Sequence, residues 1–293
     1  MKIRVPASTT NFGSGFDTFG LALDLYNTFE FEVSERYEVD IEGYGEDLPR
    51  NENNMVIKVY RHTCRKLGLE EVPFRLFQEN RVPTARGLGS SATAIVGGLE
   101  ICRLIHGRDI PLEERIKIAM EFEPHPDNLI PAMVGGFVIC IGNGTPFVRV
   151  TFPQGLRIVL AVPDFELQTE KARSVLKEEV PLKDCVFNIR RSSLLIYALM
   201  SGNYNLLRMA VEDRIHQPYR AKLIPGFEDV VRSGYREGAY GVFLSGAGPS
   251  VCAICSEDRA GEVGDAMVLA FKRSGVRARA LHLKASERGV HIL

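Results

Sequence analysis

Two glycines and two serines crowd into PTARGLGSSATA, Pro83 to Ala94, between a strand-like segment and the start of an apolar-faced helix. Glycine reaches positive φ and lets backbone amides approach a ligand closely. A helix start adds unpaired N–H donors and the positive end of its dipole, a combination that holds phosphate. Ser90 and Ser91 then put hydroxyls where a phosphate oxygen or a Mg²⁺ would lie. The competing account is a plainly capped helix, since serine is a favoured N-cap and glycine is common in turns. Gly87, Gly89 and Ala92 also match GxGxxA, the dinucleotide fingerprint, but PTAR loosens the tight strand–turn–helix unit that motif requires. The pattern GxxxxGK[ST] does not occur.

Three further segments have the composition of ligand-binding loops. PASTTNFGSGFDTFGL, Pro6 to Leu21, holds five small hydroxyl residues, two close glycines, Asn11 and Asp17. PHPDNLIPAMVGG, Pro124 to Gly136, sets His125, Asp127 and Asn128 between prolines and a glycine pair. SGAGPS, Ser245 to Ser250, joins two apolar strands. Each has an ordinary structural account: turn-formers, a helix cap, a hairpin connection. Their joint occurrence in one chain is what calls for another.

The elements that must position these segments alternate strand and helix without a regular βαβ rhythm, which indicates an α+β fold in two lobes with a boundary near residue 155. Thr28 to Val33 alternates as a strand. Asn53 to Leu67 is a helix with Asn53 or Asn54 as cap and Gly68 as stop, and Ser90 to Ile105 is a second, ended at Gly107. A short helix follows from Leu112 to Phe122, then a loop. In the second half, Arg157 to Val162 is a strand and Leu194 to Met200 a helix. Gly241 to Leu244, Val251 to Cys255, Arg259 to Ser274 and Arg277 to Leu283 close the chain as strand, strand, helix, strand.

With 293 residues, 45% of them hydrophobic, the chain is long enough for about two domains with a core that needs no disulfides. Thirty-six basic against thirty-seven acidic residues and no basic run argue against a nucleic-acid or membrane-surface binder. No apolar stretch reaches a membrane-spanning length, and MKIRVPASTT lacks a signal-peptide core, so a cytoplasmic protein is expected. Of six cysteines, only Cys252 and Cys255 form CxxC, within a buried strand that points them to opposite faces. All six are expected to be reduced core residues.

PASTTNFGSGFD, PTARGLGSSATA, the HPDN-to-GG segment and SGAGPS, in that order and spacing, resemble the motifs of the GHMP kinases, which act on galactose, homoserine, mevalonate and phosphomevalonate. The resemblance spans nearly the whole chain. Through ASTTNFGSGFDTFGLAL, EPHPDNLIPAMVGG, QTEKAR and QPYRAKLIPG it is strongest toward the homoserine-phosphorylating branch. It implies an N-terminal lobe, residues 1–155, like domain 2 of ribosomal protein S5, and a ferredoxin-like C-terminal lobe, residues 156–293. It also implies ATP and Mg²⁺ as cofactors, L-homoserine as substrate, transfer to the side-chain hydroxyl as a step toward threonine, and a homodimer.

By the same resemblance, Pro83, Thr84, Ala85, Arg86, Gly87, Leu88, Gly89, Ser90, Ser91, Ala92 and Thr93 wrap the ATP phosphates, with Ser91 near Mg²⁺. Glu121 or Glu123 completes the metal site; Glu121 is preferred because Glu123 precedes Pro124 and is pushed to extended backbone. Arg173 and Arg220 match carboxylate-binding arginines, a task suited to the bidentate guanidinium. Asp17 matches the residue for the ammonium, helped by Asn11 and His125. Asn128 orients the attacking hydroxyl, supported by Asp127 and Thr169. Phosphoryl transfer itself needs mainly positioning and charge neutralisation. The alternatives are another GHMP kinase, of mevalonate type, and a catalytically silent member.

Overall fold

The computed structural model describes residues 1–142 and 144–293. The first lobe runs β1 (Lys2–Thr10), β2 (Phe19–Val33), β3 (Glu38–Gly43), α1 (Met55–Leu67), β4 (Phe74–Asn80), α2 (Ser90–Ile105), α3 (Leu112–Met120), α4 (Pro126–Val134), β5 (Phe137–Cys140) and β6 (Phe147–Val150). The second runs β7 (Leu156–Pro163), α5 (Thr169–Ser174), α6 (Leu182–Ser201), α7 (Leu207–Ala210), α8 (Gln217–Arg220), α9 (Phe227–Arg236), β8 (Gly241–Leu244), β9 (Val251–Ser256), α10 (Ala260–Arg273) and β10 (Ala278–Leu283). The final strand, β11 (His291–Ile292), pairs with β1.

The first sheet is ordered β11-β1-β2-β4-β3, and β2 is long enough to serve two neighbours on one side. Its Thr28–Val33 half pairs with β4, while Phe19–Leu21 pairs with β5. The register of β1 on β2 shifts between Pro6 and Ser8, and this bulge re-aims the end of β1. Beyond it the Ser8 amide donates to Leu88 O at 3.1 Å, so the strand carries the glycine-rich loop directly.

The second sheet is ordered β10-β7-β9-β8, antiparallel throughout. Numbered within the lobe, that is 4-1-3-2 with α5 to α9 and then α10 in the crossovers, the ferredoxin-like plan. β7 is buried on both faces, which explains its unbroken apolar run. Ile158, Leu160 and Val162 join a core shared with Phe12, Phe19, Phe137 and α6, whereas Val159 and Ala161 face α9 and α10. A third core packs α1, α2, α3 and α4 on the first sheet. Cys252 and Cys255 fall into opposite cores, as their spacing requires.

Four expectations change. Pro6–Leu21 is not one loop, since β1 runs to Thr10 and β2 begins at Phe19. The segment after α3 is a helix, α4, with Pro126 in its first turn, where a missing N–H is harmless, and Pro131 inside it. α6 starts at Leu182, twelve residues before the expected Leu194. The last ten residues return to the first lobe rather than staying in the second: Ser286 N donates to Ala22 O at 2.8 Å and Val290 N to Ala132 O at 2.8 Å.

Candidate active site

A cleft of about 180 Å³ opens between the lobes, walled by the 85–92 loop, the start of α4, the loop after β1, α5, and Arg220 with the Gly246–Ala247 turn. Gly87 and Gly89 lie at φ +69° and +70°, where non-glycine residues are strained. A Cβ on Gly87 would stand 2.1 Å from Ser245 O, and one on Gly89 2.2 Å from Ser8 Oγ. The loop is thus pressed between SGAGPS and β1, and Ser245 Oγ donates to Gly87 O at 2.7 Å.

The N-cap of α2 is Gly89, with no side-chain cap. The serines are therefore not capping; Ser90 and Ser91 form the first turn and line the cleft with the helix's unpaired amides. This removes the plain-cap account. Ala85 to Ala92 all line the cleft, whereas Pro83 is buried, Thr84 lines an adjoining hollow, and Thr93 is engaged with Ser90 O and Asn27 Nδ2. The Arg86 guanidinium is held by Pro163 O, Thr84 O and Asp164 O at 2.7–3.0 Å, so its contribution is to fix the loop on β7.

On the opposite wall, Asp17 and Arg173 form a two-pronged ion pair, at 2.7 and 3.2 Å, with each side chain about one third exposed. Asn11 does not face a ligand alone: its Nδ2 donates to Gly246 O at 3.0 Å and its Oδ1 accepts from Asp17 N at 3.0 Å, which sets the aspartate in place. Arg220 is 1% exposed and has no carboxylate partner within ion-pair distance among the described residues; it donates to Ala172 O and Gly246 O, both at 3.2 Å. Burial, then Arg173, pulls it down to about 10, still charged at neutral pH. The Phe16 ring lies 5.3 Å from the Arg173 guanidinium and 5.1 Å from that of Arg220, and stacks on buried His216. Sequence reasoning missed Phe16, for which an aromatic beside Asp17 was the available signal.

α4 delivers the third wall. His125 is its N-cap, and Asp127 and Asn128 lie in its first turn. Ser8 Oγ donates to Asn128 Oδ1 at 2.8 Å, which fixes the amide so that its Nδ2 lies by Asp127 Oδ1, at 3.5 Å. Burial, then the Asp17 charge, pushes Asp127 up to about 6, against the pull of Thr10, His125 and Arg173. Thr169 opens α5 and lines the cleft.

The two glutamates separate. Glu123 lines the cleft in hydrogen-bond contact with His125 Nδ1. Glu121 lies outside it, bound to His62 Nε2 and Lys66 Nζ at 3.0 Å each, with Lys66 chiefly holding its carboxyl below the usual range. The preference for Glu121 is thereby reversed: α3 ends at Met120, so Glu121 stays against α1 while the turn before Pro124 carries Glu123 inward.

Beside the glycine loop a second hollow of about 330 Å³ shares Ala85, Ser90, Ser91 and Gln168 with the cleft and adds Leu48, Pro49, Asn54, Met55, Gln78 and Ala94. No sequence spacing pointed to it. Among the described residues no helix is long and apolar enough to cross a membrane.

The family model for the GHMP kinases N terminal domain matches residues 54–136, and that for GHMP kinases C terminal matches residues 195–273. A homoserine kinase of Aquifex aeolicus is 52% identical over 295 residues, covering 100% of this chain and 99% of its own. One of Persephonella marina is 45% identical, covering 100% and 98%. A crystal structure of homoserine kinase from Cytophaga hutchinsonii superposes at a TM-score of 0.90, with 28% identity and coverage of 100% and 97%. A mevalonate kinase structure shares the fold, at a TM-score of 0.73 and 16% identity. The chain belongs to the GHMP kinase family.

Proposed function

We propose that the chain transfers the γ-phosphoryl group of ATP to the side-chain hydroxyl of L-homoserine, giving O-phospho-L-homoserine and ADP. The observation that carries this reading is the Asp17–Arg173 pair on the wall facing the phosphate loop, with buried Arg220, which has no carboxylate partner among the described residues, behind it. A zwitterionic amino acid entering between Asp17 and Arg173 replaces one ion pair by two, so no net charge is buried. A substrate with a carboxylate alone would leave Asp17 facing an anion. The names of the relatives support the same substrate.

ATP phosphates would lie against residues 85–92 and the start of α2, with the nucleoside in the adjoining hollow. Ser91 and Glu123 offer a hydroxyl and a carboxylate oxygen, hard donors of the kind Mg²⁺ takes, and the ion when bound neutralises phosphate charge. Arg173 and Arg220 bind the homoserine carboxylate, Asp17 binds the ammonium, and Asn128 Nδ2 donates to the hydroxyl oxygen and orients it. That oxygen bonds to the γ-phosphorus as the bridging P–O bond breaks and ADP departs; the hydroxyl proton passes to a phosphoryl oxygen. Asp127 and Thr169 support the polar wall around it.

Arg173→Ala tests the substrate assignment. It should raise KM for homoserine at least tenfold while changing KM for ATP less than threefold; equal effects on both would discard the carboxylate role.

A further inference from the structure

Far from the cleft, the C-terminal ends of α1 and α2 bring together three soft donors that the kinase reading does not use. Cys64 Sγ lies 3.6 Å from Cys102 Sγ and 3.5 Å from His106 Nε2. All three ligand atoms fall within 4.8 Å of one another, the one such group of His, Cys, Asp or Glu among the described residues. Cys102 and His106 are four apart at the end of α2 and share a face, and Cys64 meets them from α1. We propose that Cys64, Cys102 and His106 form a binding site for a single thiophilic d¹⁰ cation of the zinc type, which staples α1 to α2.

The spacing supports the assignment. With metal–sulfur bonds of about 2.3 Å and metal–nitrogen bonds of about 2.0–2.1 Å, tetrahedral geometry puts two sulfurs about 3.8 Å apart and a sulfur and a nitrogen about 3.5 Å apart. The two measured edges fall within about 0.2 Å of those values. Both cysteines are fully buried but His106 is only partly so, which gives the ion its way in. Tyr60 sets the imidazole, its ring stacked at 6.2 Å on His106, while its hydroxyl is held by Val72 N at 2.9 Å and Val72 O at 3.0 Å. The protein thus offers three ligands and leaves a fourth position for water. Ser90 is twelve residues up α2 from Cys102, about 18 Å at 1.5 Å per residue, so the ion would act on the helix that bears the phosphate loop without touching substrate.

The probe is Cd²⁺, added to the fully reduced chain under argon and followed by metal analysis after removal of excess, by the ultraviolet thiolate-to-metal band and by Tm. The expected result is one Cd²⁺ per chain, the band, and a raised Tm. Cys102→Ser should abolish the band and the Tm rise, and His106→Ala, which keeps both thiols, should weaken binding at least tenfold. ADP release by both variants checks that they are folded. Retention of less than half an equivalent, or a band and affinity equal in the native chain and either folded variant, would overturn the proposal. So would a reduced pair that closes to a disulfide in air yet takes up no Cd²⁺.

Discussion

Replacing Asp127 by asparagine should make the protein more stable at neutral pH while making it a worse enzyme. The carboxyl is 2% exposed, and burial together with the Asp17 charge moves it from an ordinary 3.8 to about 6. Between those two values the folded protein keeps a proton that the unfolded chain releases. Stability is therefore lost as pH rises through the window from 3.8 to about 6, and the loss is complete above it. At 1.36 kcal/mol for each pH unit of displacement, it amounts to about 3 kcal/mol. Asparagine has nearly the same shape and no charge to bury, so Asp127→Asn should recover up to about 3 kcal/mol at pH 8, roughly 5 °C in Tm for a chain of this length. At pH 4, where the folded protein keeps Asp127 protonated and the unfolded chain has released roughly half of its protons there, the gain should shrink to about 0.6 kcal/mol. The assay is urea or thermal unfolding of both proteins at pH 4, 6 and 8, with ADP release at pH 8. Because Asn128 is assigned the hydroxyl, kcat should fall by less than about a hundredfold, below most of the range for loss of a general base. A variant less stable than the parent at pH 8, or a gain equal at pH 4 and pH 8, would refute the electrostatic reasoning.

Two other substitutions probe the walls of the cleft. Glu123→Gln should raise the Mg²⁺ concentration needed for half-maximal turnover at least tenfold, whereas Glu121→Gln, on the Lys66 and His62 side, should leave turnover within twofold; a Mg²⁺ titration of both separates them. Gly89→Ala forces a Cβ onto Ser8 Oγ at φ +70°, and should weaken ATP binding at least tenfold by calorimetry and cost about 1–3 kcal/mol in unfolding free energy.

The cleft was more legible in the sequence than the elements around it. Asn11, Asp17, His125, Asp127, Asn128, Thr169, Arg173, Arg220 and the 85–92 loop lie far apart along the chain, and the structure brings them to one cavity; the ordered motifs, with QTEKAR and QPYRAKLIPG for Thr169, Arg173 and Arg220, were the signal that they converge. Asn54 and Gly68 announced α1, since caps are local chemistry. α4 was hidden by its prolines, which mark a break in most contexts but fit a first turn. The start of α6 was hidden by exposed Leu182 and Ile189, which blur the apolar stripe that helix reading relies on. Glu121 and Glu123 could not be ordered from local backbone preference, because the choice rests on Lys66 and His62 of a helix more than fifty residues earlier. The meeting of Cys64 with Cys102 and His106 is likewise tertiary, and no spacing motif records it.

The most direct test of the account is ADP release by the purified protein with Mg-ATP, run side by side on L-homoserine, D-homoserine, L-threonine, L-serine and mevalonate. The arrangement of Asp17, Arg173 and Arg220 predicts turnover concentrated on L-homoserine, with mevalonate near background. Turnover on mevalonate without L-homoserine would keep the phosphate loop and discard the ammonium site, and no turnover on any of them would contradict the assigned substrate.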